Sequence, residues 1–219
     1  MIAVLRRELQ AGKPVPFDVV TTAAEGAAEV FFTVAGALVQ ENQDVFTLAY
    51  ARLAHFVRPD HLDAILLTAR ILEGQEQYDL ANEAYNLIPA ESPAYHSAEL
   101  GRAAALVKDD KADAAIEVLQ RLGKDQPDLA NVWMTLGDTL RREERFTEAA
   151  EAYDTAIATF DAPEAGQWVV YYARGIAKER LKNWDGAVTD FRKALELSPD
   201  QPQVLNYLGY GFLEKKTNF

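Results

Sequence analysis

Trp133-Met134-Thr135-Leu136-Gly137-Asp138-Thr139-Leu140, followed after a polar turn by Phe146-Thr147-Glu148-Ala149-Ala150-Glu151-Ala152-Tyr153-Asp154-Thr155-Ala156, decides how this chain folds. Trp133, Leu136, Gly137 and Leu140 come first, then Ala149, Tyr153 and Ala156. Adding 34 to Ala115, Leu119, Leu122 or Pro127 lands on a chemically related residue or close beside one. A period of 34 with small residues at fixed offsets is the pattern of stacked helix pairs, each of which buries its apolar face only against its neighbours.

Prolines mark the same period further out. Pro59, Pro93 and Pro127 are spaced by 34 and 34, and Pro199 follows 72 residues later. A proline ends a helix because it lacks the N–H that continues the ladder. The last interval is two periods plus four residues. The surplus fits the loop-like stretch from Asp161 to Gln167. The expected units are 28–61, 62–95, 96–129, 130–167 and 168–201, with a half unit at 202–219 that holds one helix. In the second unit the pattern predicts helices over Leu62–Glu73 and Tyr78–Leu87. Residues 1–27 differ. Ile2, Leu5 and Leu9 share one helical face, so a short helix is expected over Met1–Gln10, read as a remnant of an earlier unit. Gly12, Pro14 and Pro16 then break it, and Phe17–Thr22 reads as extended linker.

On these residues the chain resembles the tetratricopeptide repeat family, over roughly residues 28–219. The fourth unit carries the signature quoted above. The fifth carries Tyr171, Gly175, Trp184, Ala187, Phe191, Ala194 and Pro199, and the sixth Leu205, Leu208, Gly209 and Phe212. The resemblance implies an all-α, right-handed superhelical solenoid of antiparallel helix pairs. Gly137, Gly175 and Gly209 share one offset, where paired helices are expected to come closest. Glycine costs about 1 kcal/mol against alanine inside a helix, so a packing need is expected to outweigh propensity there. Ala81, Ala115, Ala149 and Ala187 form the opposing small column, and Tyr85, Leu119, Tyr153 and Phe191 the large plugs. The first unit departs, with Thr47 in the alanine column and Ala51 in the plug column. The repeats are similar in style to those of bacterial multi-repeat proteins.

Composition narrows the function. Of 219 residues, 49% are hydrophobic and 26% charged, as in an ordered globular chain. The absence of cysteine excludes disulfides, thiolate metal sites and a cysteine nucleophile. A net charge of −12 disfavours a nucleic-acid partner, which needs clustered Lys and Arg. No stretch reaches the ~18–20 apolar residues of a membrane span. The first seven residues do not form a signal-peptide core, because the apolar run stops at Arg6. The compartment stays open between cytoplasm and periplasm. His55, His61 and His96 lack the i, i+4 spacing of a helical metal site. Leu122-Gly123-Lys124 lacks the rest of a phosphate loop, and Gly209-Tyr210-Gly211 is only part of a dinucleotide fingerprint. No cofactor, metal or enzymatic activity is expected.

The resemblance also implies which residues line a groove. Carried over residue by residue, the first helices contribute Phe32, Leu66, Arg70, Leu100, Met134, Asp138, Arg141, Tyr172, Ile176, Arg180 and Tyr210. The groove charges are Arg70, Lys108, Arg141, Arg142 and Arg180 against Glu29, Asp63, Glu73, Asp138, Glu179 and Glu214, a net of −1 in a chain of −12. A near-neutral face with an apolar stripe suits an extended peptide or amphipathic helix. The expected partner is therefore a protein or peptide held by a non-enzymatic scaffold. Some family members clamp a C-terminal carboxylate with lysine, asparagine and arginine. Here the corresponding offsets hold Leu66 and Arg70, then Met134 and Asp138, so that mode is disfavoured. The alternative is a structural module that self-associates. Leu205, Leu208 and Phe212 of the half unit are expected to point toward an absent second helix, which fits a fragment of a longer repeat protein, a homodimer contact, or a last helix that itself serves as a crude cap.

Overall fold

The computed structural model describes residues 6–7, 9–12, 20–41 and 43–215, with side chains to position 211. Of the helix expected over Met1–Gln10, residues 6–7 and 9–10 are described and are helical, and the linker expected over Phe17–Thr22 is described from position 20. Contacts divide the chain into two compact units, Met1–Ile88 and Pro89–Phe219.

The first unit contains α1 (Ala23–Gln40), α2 (Asp44–Val57), α3 (Leu62–Gly74) and α4 (Tyr78–Tyr85). The second contains α5 (Tyr95–Lys108), α6 (Ala112–Asp125), α7 (Ala130–Arg142), α8 (Phe146–Ala158), a 3-10 turn at Ala165–Gln167, α9 (Trp168–Arg180), α10 (Trp184–Leu197) and α11 (Pro202–Lys215). Among the described residues there is no strand. Within each unit, every helix packs on the next in sequence.

α1 begins five residues before the point where the apolar period becomes visible at Ala28. The reason is a capping box. Thr22 Oγ1 accepts from the Glu25 N–H at 3.2 Å, and the Glu25 carboxylate accepts from the Thr22 N–H at 3.3 Å. An apolar period reports packing, whereas the cap sets the start. α4 is shorter than its pattern predicts and ends at Tyr85. Leu87 and Ile88 continue it only as tighter turns, donating to the carbonyls of Ala84 and Tyr85.

The turn inside the four pairs from α3 to α10 is the same device repeated. Glu76, Asp110, Glu144 and Lys182 adopt left-handed φ angles of 59°, 56°, 57° and 62°. The residue after each donates back five positions, Gln77 to Leu72, Lys111 to Leu106, Arg145 to Leu140 and Asn183 to Lys178, at 2.8–2.9 Å. The spacings are 34, 34 and 38, and the four extra residues lie between α8 and α9. α2, α6 and α10 end in another shared way. Arg58, Gln126 and Ser198, each just before a proline, turn extended at φ −136°, −137° and −143°.

In the second unit, large plugs meet small partners. Ala115, Ala149 and Ala187 are fully buried, as are the rings of Tyr153 and Phe191 to within 1%. A Cβ on Gly137 would lie 2.5 Å from the Tyr153 ring, and one on Gly175 2.6 Å from Phe191. Gly209 departs from that column. Nothing lies within 4 Å of where its Cβ would stand, so packing does not require glycine there. The close approach on α11 is at Gly211, under the ring of Trp184. A buried ion cluster ties three helices together. Asp190 on α10, 2% exposed, accepts both Arg174 nitrogens of α9 and sits 2.8 Å from Lys178 Nζ. Arg174 also reaches Asp154 on α8 at 2.6 Å. At the other end of the unit, Glu99 is buried between Arg102 at 3.0 Å and Arg121 at 2.6 Å.

The first helix pair of the first unit closes on small residues instead. Ala28, Ala35, Thr47, Ala51 and Ala54 are fully buried, and Phe32, Tyr50 and Ile71 pack around Ala35, Ala51 and Leu67. With alanine in the plug column, α1 and α2 close over Ala35 and Ala51, with the rings of Phe31 and Tyr50 6.2 Å apart beside them. Thr47 is accommodated because its hydroxyl donates to the Gln43 carbonyl at 2.9 Å.

Candidate functional site

In the second unit, α7 presents Asp138 and Arg141 one turn apart. The Tyr153 hydroxyl from α8 donates to Asp138 at 2.7 Å, and Arg141 Nε donates to the same hydroxyl at 3.3 Å. Burial, then the Asp138 charge and its hydrogen bond, push the Tyr153 phenol well above its ordinary range. The two ionic side chains are thus held in place by a neutral phenol. Leu100 and Met134 are half-buried against the core cluster, so part of each side chain serves helix packing. Ile176 is only 8% exposed and belongs to the core itself.

Tyr172 on α9 begins an aromatic run. Its ring lies 5.8 Å from Trp168 and 5.7 Å, edge to face, from Tyr207 on α11. Tyr207 in turn lies 5.6 Å from Phe191. Such offset and edge contacts suit aromatic quadrupoles. Burial, with the Tyr207 phenol nearby, raises the Tyr172 phenol above its usual range, although Arg141 pulls the other way. Beyond Tyr207 the surface opens into a pocket of about 500 Å³ lined by Glu179, Arg180, Lys182, Trp184, Tyr207, Tyr210 and Gly211. Arg180 meets Glu179 only at 3.6 Å and both are solvated, a pairing that holds Arg180 weakly. Tyr210 is 64% exposed. Three aromatic walls with cations at the rim can take an apolar side chain and a hydrogen-bond acceptor together.

The structure therefore brings Arg180 and Tyr210 into one pocket, and places Asp138 and Arg141 together on α7. Trp184, Tyr207 and Lys182 complete the pocket although the groove offsets did not select them. One signal was present in the sequence: Tyr207 stands in a column that holds Gly101, Thr135 and Ala173 in the preceding units.

The remaining candidates lie apart from this pocket. In the first unit, Phe32 is half-buried with its ring 4.9 Å from that of His61. Leu66 is half-buried and Arg70 exposed on α3. There Tyr85 donates to Glu73 at 3.2 Å, and its phenol is raised by burial and by Glu73 while Arg70 opposes. This is the Asp138–Arg141–Tyr153 arrangement with the two charges exchanged. On α11, Leu205 is 49% exposed and Leu208 half-buried, while the side chain of Phe212 lies outside the described residues. Among the described residues no three His, Cys, Asp or Glu side chains gather as a metal site. Among them, too, no helix is long and apolar enough to cross a membrane.

Family models described as tetratricopeptide repeat match residues 98–169 and 168–201. No curated protein matches the chain in sequence. Solved structures do match in fold. A MamA from Desulfovibrio magneticus RS-1 superposes with a TM-score of 0.67 at 17% identity, over 84% of this chain and 99% of that one. YrrB, described as a TPR protein with an unusual peptide-binding site, gives 0.65 at 18% identity over 86% and 98%. A thermophilic TPR protein of Thermus thermophilus gives 0.55 at 17% identity over 85% and 100%. At these identities the likeness concerns the fold, which is all-α and of the tetratricopeptide solenoid class.

Proposed function

Because this chain belongs to the tetratricopeptide repeat family, whose fold serves as a protein–protein interaction scaffold, we propose that its second unit captures a peptide segment on the face carried by α7, α9 and α11. The peptide lies along the half-buried Met134 and Tyr172 and anchors one apolar residue in the pocket between Arg180 and Tyr210. The observation that carries this reading is the pocket itself, where Trp184, Tyr207 and Tyr210 converge with Arg180 and Lys182. Aromatic and arginine side chains are the usual anchors of such interfaces. The description of YrrB as peptide-binding supports the same class of ligand.

The test is selection of a displayed random peptide library on the protein, followed by affinity measurement through tryptophan fluorescence. Tyr210→Ala and Arg180→Glu should each weaken selected peptides by about tenfold or more. Charged substitutions at Met134 and Tyr172 should abolish capture. Peptides that bind all four variants as they bind the unaltered chain would overturn the reading. A second reading, self-association through α11, draws on the 49% exposure of Leu205. It requires that Leu205→Glu turn an oligomer into a monomer.

A further inference from the structure

The first unit carries an exposed apolar surface that the second does not repeat, although the groove beside it recurs at the same positions between α6 and α8, and the repeat itself supplies the control. Of the large hydrophobics exposed on the described residues, Val45 (73%), Phe46 (59%), Leu53 (43%) and Phe56 (81%) lie on α2. Leu80 (41%) is on α4 and Leu87 (52%) just past its end. On the period of 34, Phe46 and Leu80 head a column that continues Ala114, Glu148 and Gly186. Leu53 and Leu87 head one that continues Arg121, Thr155 and Lys193. Phe56 is followed by Ala90, Lys124, Ala158 and Glu196, and Val45 by Asp79, Asp113, Thr147 and Asp185. The same outward positions are polar or small in later units, so the helix pair does not need hydrophobes there. Their presence on α2 and α4 is a property of this face.

The face has relief. Between α2 and α4 runs a groove of about 270 Å³, floored by α3 and walled by Leu80 and Leu87, with Arg52 and His55 on one bank and Glu83 on the other. Phe56 stands beside His55 on the crest of α2, more exposed than any other large apolar side chain described. Knob and hole therefore sit side by side on one surface. Its banks carry opposite charge.

We propose that this face docks a second copy of the chain about a two-fold axis, the α2 crest of each copy entering the α2–α4 groove of the other. A two-fold interface uses one patch twice, so it requires a patch that complements itself. Here the Phe56 knob meets the groove, and the Arg52 bank of one copy meets the Glu83 bank of the other. At the exposures above, Val45, Phe56, Leu80 and Leu87 present on the order of 450 Å² beside the groove, within the range for the largest patch of an ordinary monomer. With its polar rim the face approaches the ~800 Å² per partner of a standard interface. The chain's net charge of −12 opposes pairing at long range, so association strengthens with salt, which screens that repulsion.

Sedimentation equilibrium of the full chain from low to high micromolar concentration tests the proposal. The expected result is a reversible dimer, tighter at higher salt and weakened about tenfold or more by Phe56→Glu and by Leu87→Glu. Lys124→Ala, in the Phe56 column of a later unit, should leave it unchanged. Circular dichroism and the urea midpoint establish that Phe56→Glu is folded; its side chain is mostly in solvent, so the core is untouched. Val45→Glu serves as a second probe of the crest. A monomer at every concentration and salt would overturn the proposal. So would a dimer that resists Phe56→Glu, Leu87→Glu and Val45→Glu, or one lost on Leu205→Glu alone. Peptide capture by the second unit is read separately and stands or falls without it.

Discussion

The two units are built on one repeat and spend their hydrophobic residues differently. In Pro89–Phe219 the plugs turn inward: Tyr153 and Phe191 fill the space left by Gly137 and Gly175, and Asp190 holds Arg174 and Lys178 inside. In Met1–Ile88 the plug of the first pair is Ala51 and the large residues of α2 turn outward. Interior tightness and exterior stickiness thus trade places along one chain. The fold tolerates both because each helix pair needs only its small columns to close.

The sharpest way to break this contrast is Asp190→Ala. It leaves Arg174 and Lys178 facing a low-dielectric interior without their shared acid, and should cost about 3–5 kcal/mol in urea unfolding. Amide exchange should quicken in α9 and α10 and not in α3. The double change Arg174→Leu with Asp190→Ala recreates the Leu136 and Ala152 pair of the preceding unit and should recover most of the loss. A single-variant loss below about 1 kcal/mol would mean that the cluster behaves as a solvated ion pair.

A smaller effect separates tight from open glycines. Gly137→Ala and Gly175→Ala force a methyl into an aromatic ring and should destabilise by about 1–3 kcal/mol. Gly36→Ala in the interior of α1 meets nothing within 4 Å and should stabilise by up to about 1 kcal/mol. Equal signs for the two would show that the ring beside Gly137 and Gly175 does not decide the cost of a methyl group there. The smallest effect should be common to both. Glu76→Gly and Lys182→Gly relieve a left-handed residue at the same turn, and each should raise stability by about 0.5 kcal/mol in thermal melts. A gain in one unit only would mean that the turns, alike in φ, differ in strain.

Much of this was legible in the residues. The period, the alanine column and the plugs predicted the helix pairs, because a repeat that packs only on its neighbours must carry its contacts at fixed offsets. The glycine column was legible only in part. Gly137, Gly175 and Gly209 look alike in sequence, yet only the first two have a ring against them, and a sequence does not say which neighbour a helix face meets. The start of α1 was missed for a different reason. The Thr22 and Glu25 cap acts through backbone N–H groups and leaves no apolar trace.

The candidate site divides the same way. Arg180 and Tyr210 could be placed on inward offsets, and Asp138 and Arg141 on one face of a helix. That Trp184 and Tyr207 wall the pocket with them depends on where α10 and α11 lie against α9. That Ile176 sinks into the core, and that Met134 and Leu100 are half used in packing, depends on the same geometry. The sequence by itself determined the helix pair, its period and the residue types in each column, since these follow from local periodicity and backbone chemistry. Tertiary structure alone decided which side chains of those columns remain in solvent, because burial is set by the neighbour across the gap and not by the residue that faces it.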